Sequence, residues 1–286
     1  TPCGTLFPYT TLFRSVPTIF TVLAMRVIDY SDRYVILYLL GEGGAAQVGS
    51  YTMAYTLGMV GIMTFVNSFR LAWQPFFLSL KDNPDNRAIF SRVATYYSVF
   101  IGTVFTGVTL FRSEIFSLYA PRYPLELSRI IPFVSLGYIL FGYYIIMQAG
   151  IYIREKTVYL PLVTFAAAAV NLALNFLFVP AFGIIGAAYT TIAAYTVLVV
   201  CMYTITARVY RISYDFRRIV YAALITAVPI ACAELYRPPI YSVDVGYRAV
   251  LFIAPPLLYW FSGFLLPVER ETVKRIVSSR LKRFKE

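Results

Sequence analysis

Long uncharged apolar runs recur along the chain, each near the length a helix needs to cross a bilayer, with short polar breaks between them. The clearest is the pair at 156–191, KTVYLPLVTFAAAAVNLALNFLFVPAFGIIGAAYTT. From Val158 to Val179 no residue is charged, and the polar side chains are Tyr159, Thr164, Asn171 and Asn175. A helix over that stretch would be about 33 Å long. Pro180 and Gly183 are expected to end it, and Gly186-Ala187-Ala188 to begin a second helix that stays uncharged to Ala207. Only Ala181-Phe182-Gly183 is left for the turn, which fits two adjacent antiparallel spans.

The same pattern predicts eight transmembrane helices in all, at 17–40, 46–69, 90–111, 130–153, 158–180, 184–207, 217–236 and 246–266. Length favours helices over strands, because a membrane strand needs only about 10 residues and must alternate. The predicted fold class is all-α, a polytopic membrane bundle. The tail, Pro267–Glu286, reads as a basic amphipathic helix with Val273, Ile276, Val277 and Leu281 on one side, suited to a membrane surface. Residues 1–15, TPCGTLFPYTTLFRS, have no initiator Met and no signal-peptide pattern. They resemble translated adapter sequence and are read as a non-native leader.

Composition strengthens the membrane reading. The chain has 286 residues, of which 59% are hydrophobic and 14% charged, whereas a soluble domain carries roughly 25% charged residues. There is no His, so His-based proton relays, His-ligated metals and Ser/His catalysis are excluded. Cys3, Cys201 and Cys232 have no metal or disulfide spacing. No catalytic or metal site is expected, and the chain is not read as an enzyme. The net charge of +11 belongs to topology, not to nucleic acid. With the tail in the cytoplasm, Lys and Arg number four in 70–92, two in 154–156, four in 208–218 and seven in the tail, against five on the opposite side. Cytoplasmic loops at 70–89 and 208–216 and outer loops at 112–129 and 237–245 follow, with the basic loops facing anionic lipid.

Four groups of residues are candidates for chemistry. The first span holds Arg26, Asp29, Asp32 and Arg33. Arg26, Asp29 and Arg33 share one face at i, i+3 and i+7, so Asp29 can pair with either Arg inside the helix. Charges within a span cost at least ~2.5 kcal/mol each at the helix centre, so they face a cavity or neutralise one another. A packing cluster and a functional lumen both meet that demand. Asn171 and Asn175 lie on a stripe with Thr164 and Ala168, and Ala187, Thr191, Ala194 and Leu198 form a stripe on the next helix. Glue between spans and a polar pathway are the two readings of those amides. Gly137, Phe141, Tyr144 and Gln148 share a face of the fourth span, either for packing or for meeting sugar rings. Trp73-Gln74-Pro75 reads as an interfacial turn after the second span.

Several strings together resemble a known family. They are K-T-x3-P, N-L-x-L-N and P-x-F-G-I-x-G-A-A-x-x-T in 156–191, with "IIPFVSLGYILFGYYIIMQAGIYIREKT" at 130–157 and "SDRYVILYLLGEGGAAQVGSYTMAYTLG" at 31–58. This order and spacing is similar to the polysaccharide flippases, the Wzx-like exporters of O-antigen and exopolysaccharide, within the superfamily of drug/cation antiporters and lipid II flippases. The resemblance runs from about Val16 onward. It implies a multi-pass transporter of the bacterial inner membrane that moves polyprenyl-pyrophosphate-linked oligosaccharide by alternating access. No cofactor is implied, only coupling to an H+ or Na+ gradient. Such flippases have two bundles, so the chain is expected to be a C-terminal portion: 16–207 as the six-helix bundle and 208–266 as two additional spans. The missing N-terminal bundle would be its partner. Arg26 and Arg33 would then meet the pyrophosphate and a carboxylate would sense the ion.

Three rivals make different demands. A drug/cation antiporter of the same superfamily needs an acidic lumen. A membrane polysaccharide polymerase needs a large external loop bearing catalytic groups, and the longest loops predicted here are about 20 residues. A non-transporting scaffold needs no charges deep in a span.

Overall fold

The computed structural model describes residues 9–262 together with Phe264 and Glu271. Among the described residues there is no strand, and a helix stands at each of the eight predicted spans. These are α1 (Tyr9–Leu40), α2 (Gly44–Ser79), α3 (Asn86–Leu110), α5 (Ile130–Ile153), α6 (Tyr159–Phe182), α7 (Ile184–Val209), α8 (Phe216–Leu235) and α9 (Tyr241–Phe261), with a short α4 (Arg112–Tyr119) between α3 and α5. By length and apolarity, α3, α5, α6, α7 and α8 qualify to cross a membrane, which makes this a multi-pass membrane protein. The helices α1, α2 and α9 are also long, 32, 36 and 21 residues. Charged and polar residues dilute their apolarity: α1 carries Arg14, Arg26, Asp29, Asp32 and Arg33, α2 carries Arg70 and many Tyr, Thr, Ser and Gly residues, and α9 carries Asp244 and Arg248.

Two compact units divide the chain. The larger holds 1–94 and 111–214, the smaller 95–110 and 215–286. The sequence reading separates six helices from two at residue 207; in the structure α3 contributes to both units. Glycines explain its attachment to the smaller one. A Cβ on Gly102 would sit 2.5 Å from the Thr226 hydroxyl of α8, and one on Gly107 would sit 2.9 Å from the Phe252 ring of α9. Arg248 ties the same unit together by donating to the Leu110 carbonyl at 2.8 Å and pairing with Asp244 at 2.7 Å.

In the larger unit α1, α6, α7, α5 and α2 pack in sequence around a closed path, and the α1–α2 contact is the sparsest. The most deeply buried helix is α5, and α2 approaches it through Gly58, where an added Cβ would meet the Ile131 carbonyl at 2.7 Å. The α6–α7 hairpin is tighter than its sequence indicates. Gly183 alone stands between the helices, at φ +62°, a conformation glycine adopts without cost. Gly186 lies against the α6 backbone, where a Cβ would overlap the Phe178 carbonyl. Both predicted stripes are buried: Thr164, Ala168, Asn171 and Asn175 on α6, and Ala187, Thr191, Ala194 and Leu198 on α7.

Two expectations need correction. Residues 70–79 are not a loop and Trp73-Gln74-Pro75 is not a turn, because α2 continues through Pro75 to Ser79. Proline forfeits one backbone hydrogen bond there, but Trp73 and Phe77 are buried, Trp73 edge-on to Phe90 at 5.3 Å and Phe77 stacked on Tyr152 at 6.0 Å. That packing outweighs the lost bond. Residues 112–129 likewise hold α4 and a 3-10 turn, Leu125–Arg129. Apart from Glu271, the tail helix expected at 267–286 lies outside the described residues, as do 1–8 of the leader.

Candidate functional site: a polar cleft beside a buried tyrosine cluster

Where α1 and α2 part, a cleft of about 510 Å³ opens against α5. Helical spacing builds its walls. Arg26 and Asp29 are one turn apart on α1, Asn67, Arg70 and Gln74 follow i, i+3 and i+7 on α2, and Tyr144 and Gln148 are i and i+4 on α5. Trp73, Phe77, Phe141 and Tyr152 supply aromatic wall between the polar groups. The Trp73 indole N–H and the Asn67 side-chain oxygen are buried without a hydrogen-bond partner among the described residues, and both residues line the cleft. Buried polar atoms are almost always bonded, so these two are ready for a ligand or water. Two arginines against one aspartate leave the cleft net positive.

The single carboxylate is already engaged. Tyr195 and Tyr138 both donate to Asp29 Oδ1, at 3.1 and 3.3 Å, and the Tyr138 hydroxyl is 2.8 Å from that of Tyr55. Spacing lets Asp29 pair with either Arg26 or Arg33, and among the described residues neither pair forms between side chains. Arg33 pairs instead with Asp32, Nη1 to Oδ1 at 3.1 Å, and donates from the same nitrogen to the Asp29 backbone carbonyl. Asp32 is fully buried and also accepts from Tyr51 at 2.5 Å and from the Arg33 backbone N–H at 2.8 Å. Arg33 Nε donates to Thr52 at 3.2 Å, and its guanidinium stands 4.6 Å over the Tyr55 ring. Tyrosines from α2, α5 and α7 therefore decide which acid takes the arginine.

The structure thus splits the charged span. Arg26 and Asp29 line the cleft, while the fully buried Asp32 and the half-buried Arg33 form an ion pair outside its lining. Tyr144 and Gln148 belong to the cleft. Asn171 and Asn175 do not. Both are fully buried, with Asn171 accepting from Ser31 of α1 at 2.7 Å and from Asn175 at 3.2 Å, while Thr190 of α7 donates to Asn175 at 2.9 Å. They join three helices, as the glue reading requires. Sequence reasoning missed Asn67, Arg70 and Gln74 as site residues, having assigned the latter two to a loop. Their i, i+3, i+7 spacing was the available signal. Among the described residues no three His, Cys, Asp or Glu stand together as a metal site would need. No family model, no curated protein and no solved structure matches the chain.

Proposed function

We propose that the chain forms part of a flippase that exports lipid-linked oligosaccharide across the bacterial inner membrane, by alternating access driven by an H+ or Na+ gradient. The carrying observation is the composition of the cleft: two arginines, one aspartate already bonded by two tyrosines, three amide side chains and an aromatic wall. Arginine suits a pyrophosphate, which it can grip with two parallel hydrogen bonds. Amides and aromatic faces suit the hydroxyls and apolar faces of sugars. A cation antiporter would need the opposite balance of charge. In this reading Arg26 and Arg70 meet the anionic group, and Asp32 with Arg33 holds the helix behind them. A second bundle of the same transporter supplies the facing wall.

The test is export. The complete transporter is expected to restore surface polysaccharide to a strain lacking its own flippase, and to leave drug resistance unchanged in a strain lacking its drug pumps. Drug resistance without polysaccharide would favour the antiporter.

The basic loops add a topological expectation. Ser79, at the end of α2, should be cytoplasmic and Ser242, in the first turn of α9, outside. Cysteines placed there should separate under an impermeant thiol reagent on intact cells, with Ser242→Cys labelled and Ser79→Cys protected. The reverse pattern overturns the orientation.

A further inference from the structure

Three of the helices that qualify to cross a membrane have an end at one place in the larger unit: the first turn of α3, the last of α5 and the last of α7. The Tyr210 ring lies at their meeting point. Its hydroxyl donates to Asn86 Oδ1 at 2.6 Å, and Asn86 Nδ2 donates in turn to the Leu80 and Lys81 carbonyls at 3.1 and 3.0 Å. Tyr210 and Asn86 are 5% and 6% exposed, so this is a fixed platform and not a loose surface side chain. Two guanidiniums share the platform, Arg87 at 4.8 Å from the ring centroid and Arg154 at 5.7 Å. Both arginines are exposed, and neither is in an ion pair with a carboxylate of the described residues. Arg154 is presented by a turn that needs Glu155 at φ +56°, closed by Glu155 N–H to Tyr152 O at 3.1 Å and Lys156 N–H to Ile151 O at 3.0 Å.

We propose that Arg87 and Arg154 form a binding site for the phosphate headgroup of an anionic phospholipid. Two like charges over one ring repel each other, and a single ring's negative face compensates each only weakly at an exposed site. An anion between them removes that repulsion. The ends of three apolar helices set its depth at the boundary of hydrocarbon and headgroups, where an aromatic ring is at home. Basic pockets between helix ends at this depth take acidic headgroups. Arg87, Arg154, Asn86 and Tyr210 are not among the cleft-lining residues, and the site stands whether or not the transport reading does.

The test titrates the purified chain in detergent with phosphatidylglycerol, reading retained lipid and melting temperature. Phosphatidylglycerol is expected to bind saturably and raise the melting temperature, while phosphatidylcholine and inorganic phosphate do neither. Arg87→Gln with Arg154→Gln should weaken binding roughly 30-fold, at ~1 kcal/mol for each arginine. Arg87→Lys with Arg154→Lys should keep most of it. Removal of the same charge before the opposite end of α5, by Arg122→Gln with Arg129→Gln, should change it by no more than about threefold. On the unsubstituted chain, a photoreactive phosphatidylglycerol should label peptides containing Arg87 or Arg154. Wild-type binding by the glutamine pair, an equal loss in the Arg122/Arg129 control, or labelling elsewhere overturns the site. An equal shift from inorganic phosphate overturns the lipid assignment.

Discussion

Replacing Arg26 and Arg70 together by glutamine in the complete transporter is expected to cut export by at least ~150-fold, because two charge-assisted hydrogen bonds to a phosphate are lost at ~1.5–3 kcal/mol each. Protein in the membrane should be unchanged, since both side chains are exposed in the cleft wall. Lysine at both positions keeps the charge and loses the planar fork, so partial export should remain. The assay is surface polysaccharide normalised to transporter in the membrane. Full export by the glutamine pair would remove both arginines from the site.

Asp32→Leu should have the largest effect on folding, about 3–5 kcal/mol of lost stability, because it removes the buried acceptor of the half-buried Arg33 and leaves the fully buried Tyr51 hydroxyl unbonded. The double change Asp32→Leu with Arg33→Leu should recover much of that loss, since a buried pair can be exchanged for well-packed apolar residues at little cost. Thermal unfolding of the purified chain in detergent checks both. If the double variant is no more stable than Asp32→Leu alone, the pair does not act as a unit. The contrast with Arg26 and Arg70 separates a structural pair from residues proposed to meet the substrate.

Much of the fold was legible because bilayer spans announce themselves by length. The hairpin at 156–191, the buried stripes of α6 and α7, and the all-helical class follow from apolar runs and small-residue spacing. The end of the second span did not. Arg70, Gln74 and Pro75 look like a loop, and only Trp73 and Phe77 packing onto Phe90 and Tyr152 carries α2 past them. The partner of each acid on α1 was equally hidden. Spacing offers Arg33 to Asp29, but Tyr138 and Tyr195, remote in sequence, occupy Asp29 and leave Arg33 to Asp32. Part of the candidate site was readable for the same reason: Arg26, Asp29, Asn67, Tyr144 and Gln148 lie within predicted spans, whereas Arg70 and Gln74 of α2 depended on a helix end that tertiary packing sets.

In the proposed function, the cleft between α1, α2 and α5 holds the lipid-linked oligosaccharide. Photo-cross-linking in native membranes tests it most directly. A benzophenone side chain replaces Gln74, on the cleft wall, or Leu162, which is 64% exposed on α6 and absent from the cleft lining. After illumination, the Gln74 variant of the complete transporter should carry a glycan-bearing adduct that disappears when synthesis of the lipid-linked sugar is blocked, and the Leu162 variant should not. Absence of a glycan adduct at Gln74, or an equal adduct at Leu162, would contradict the account.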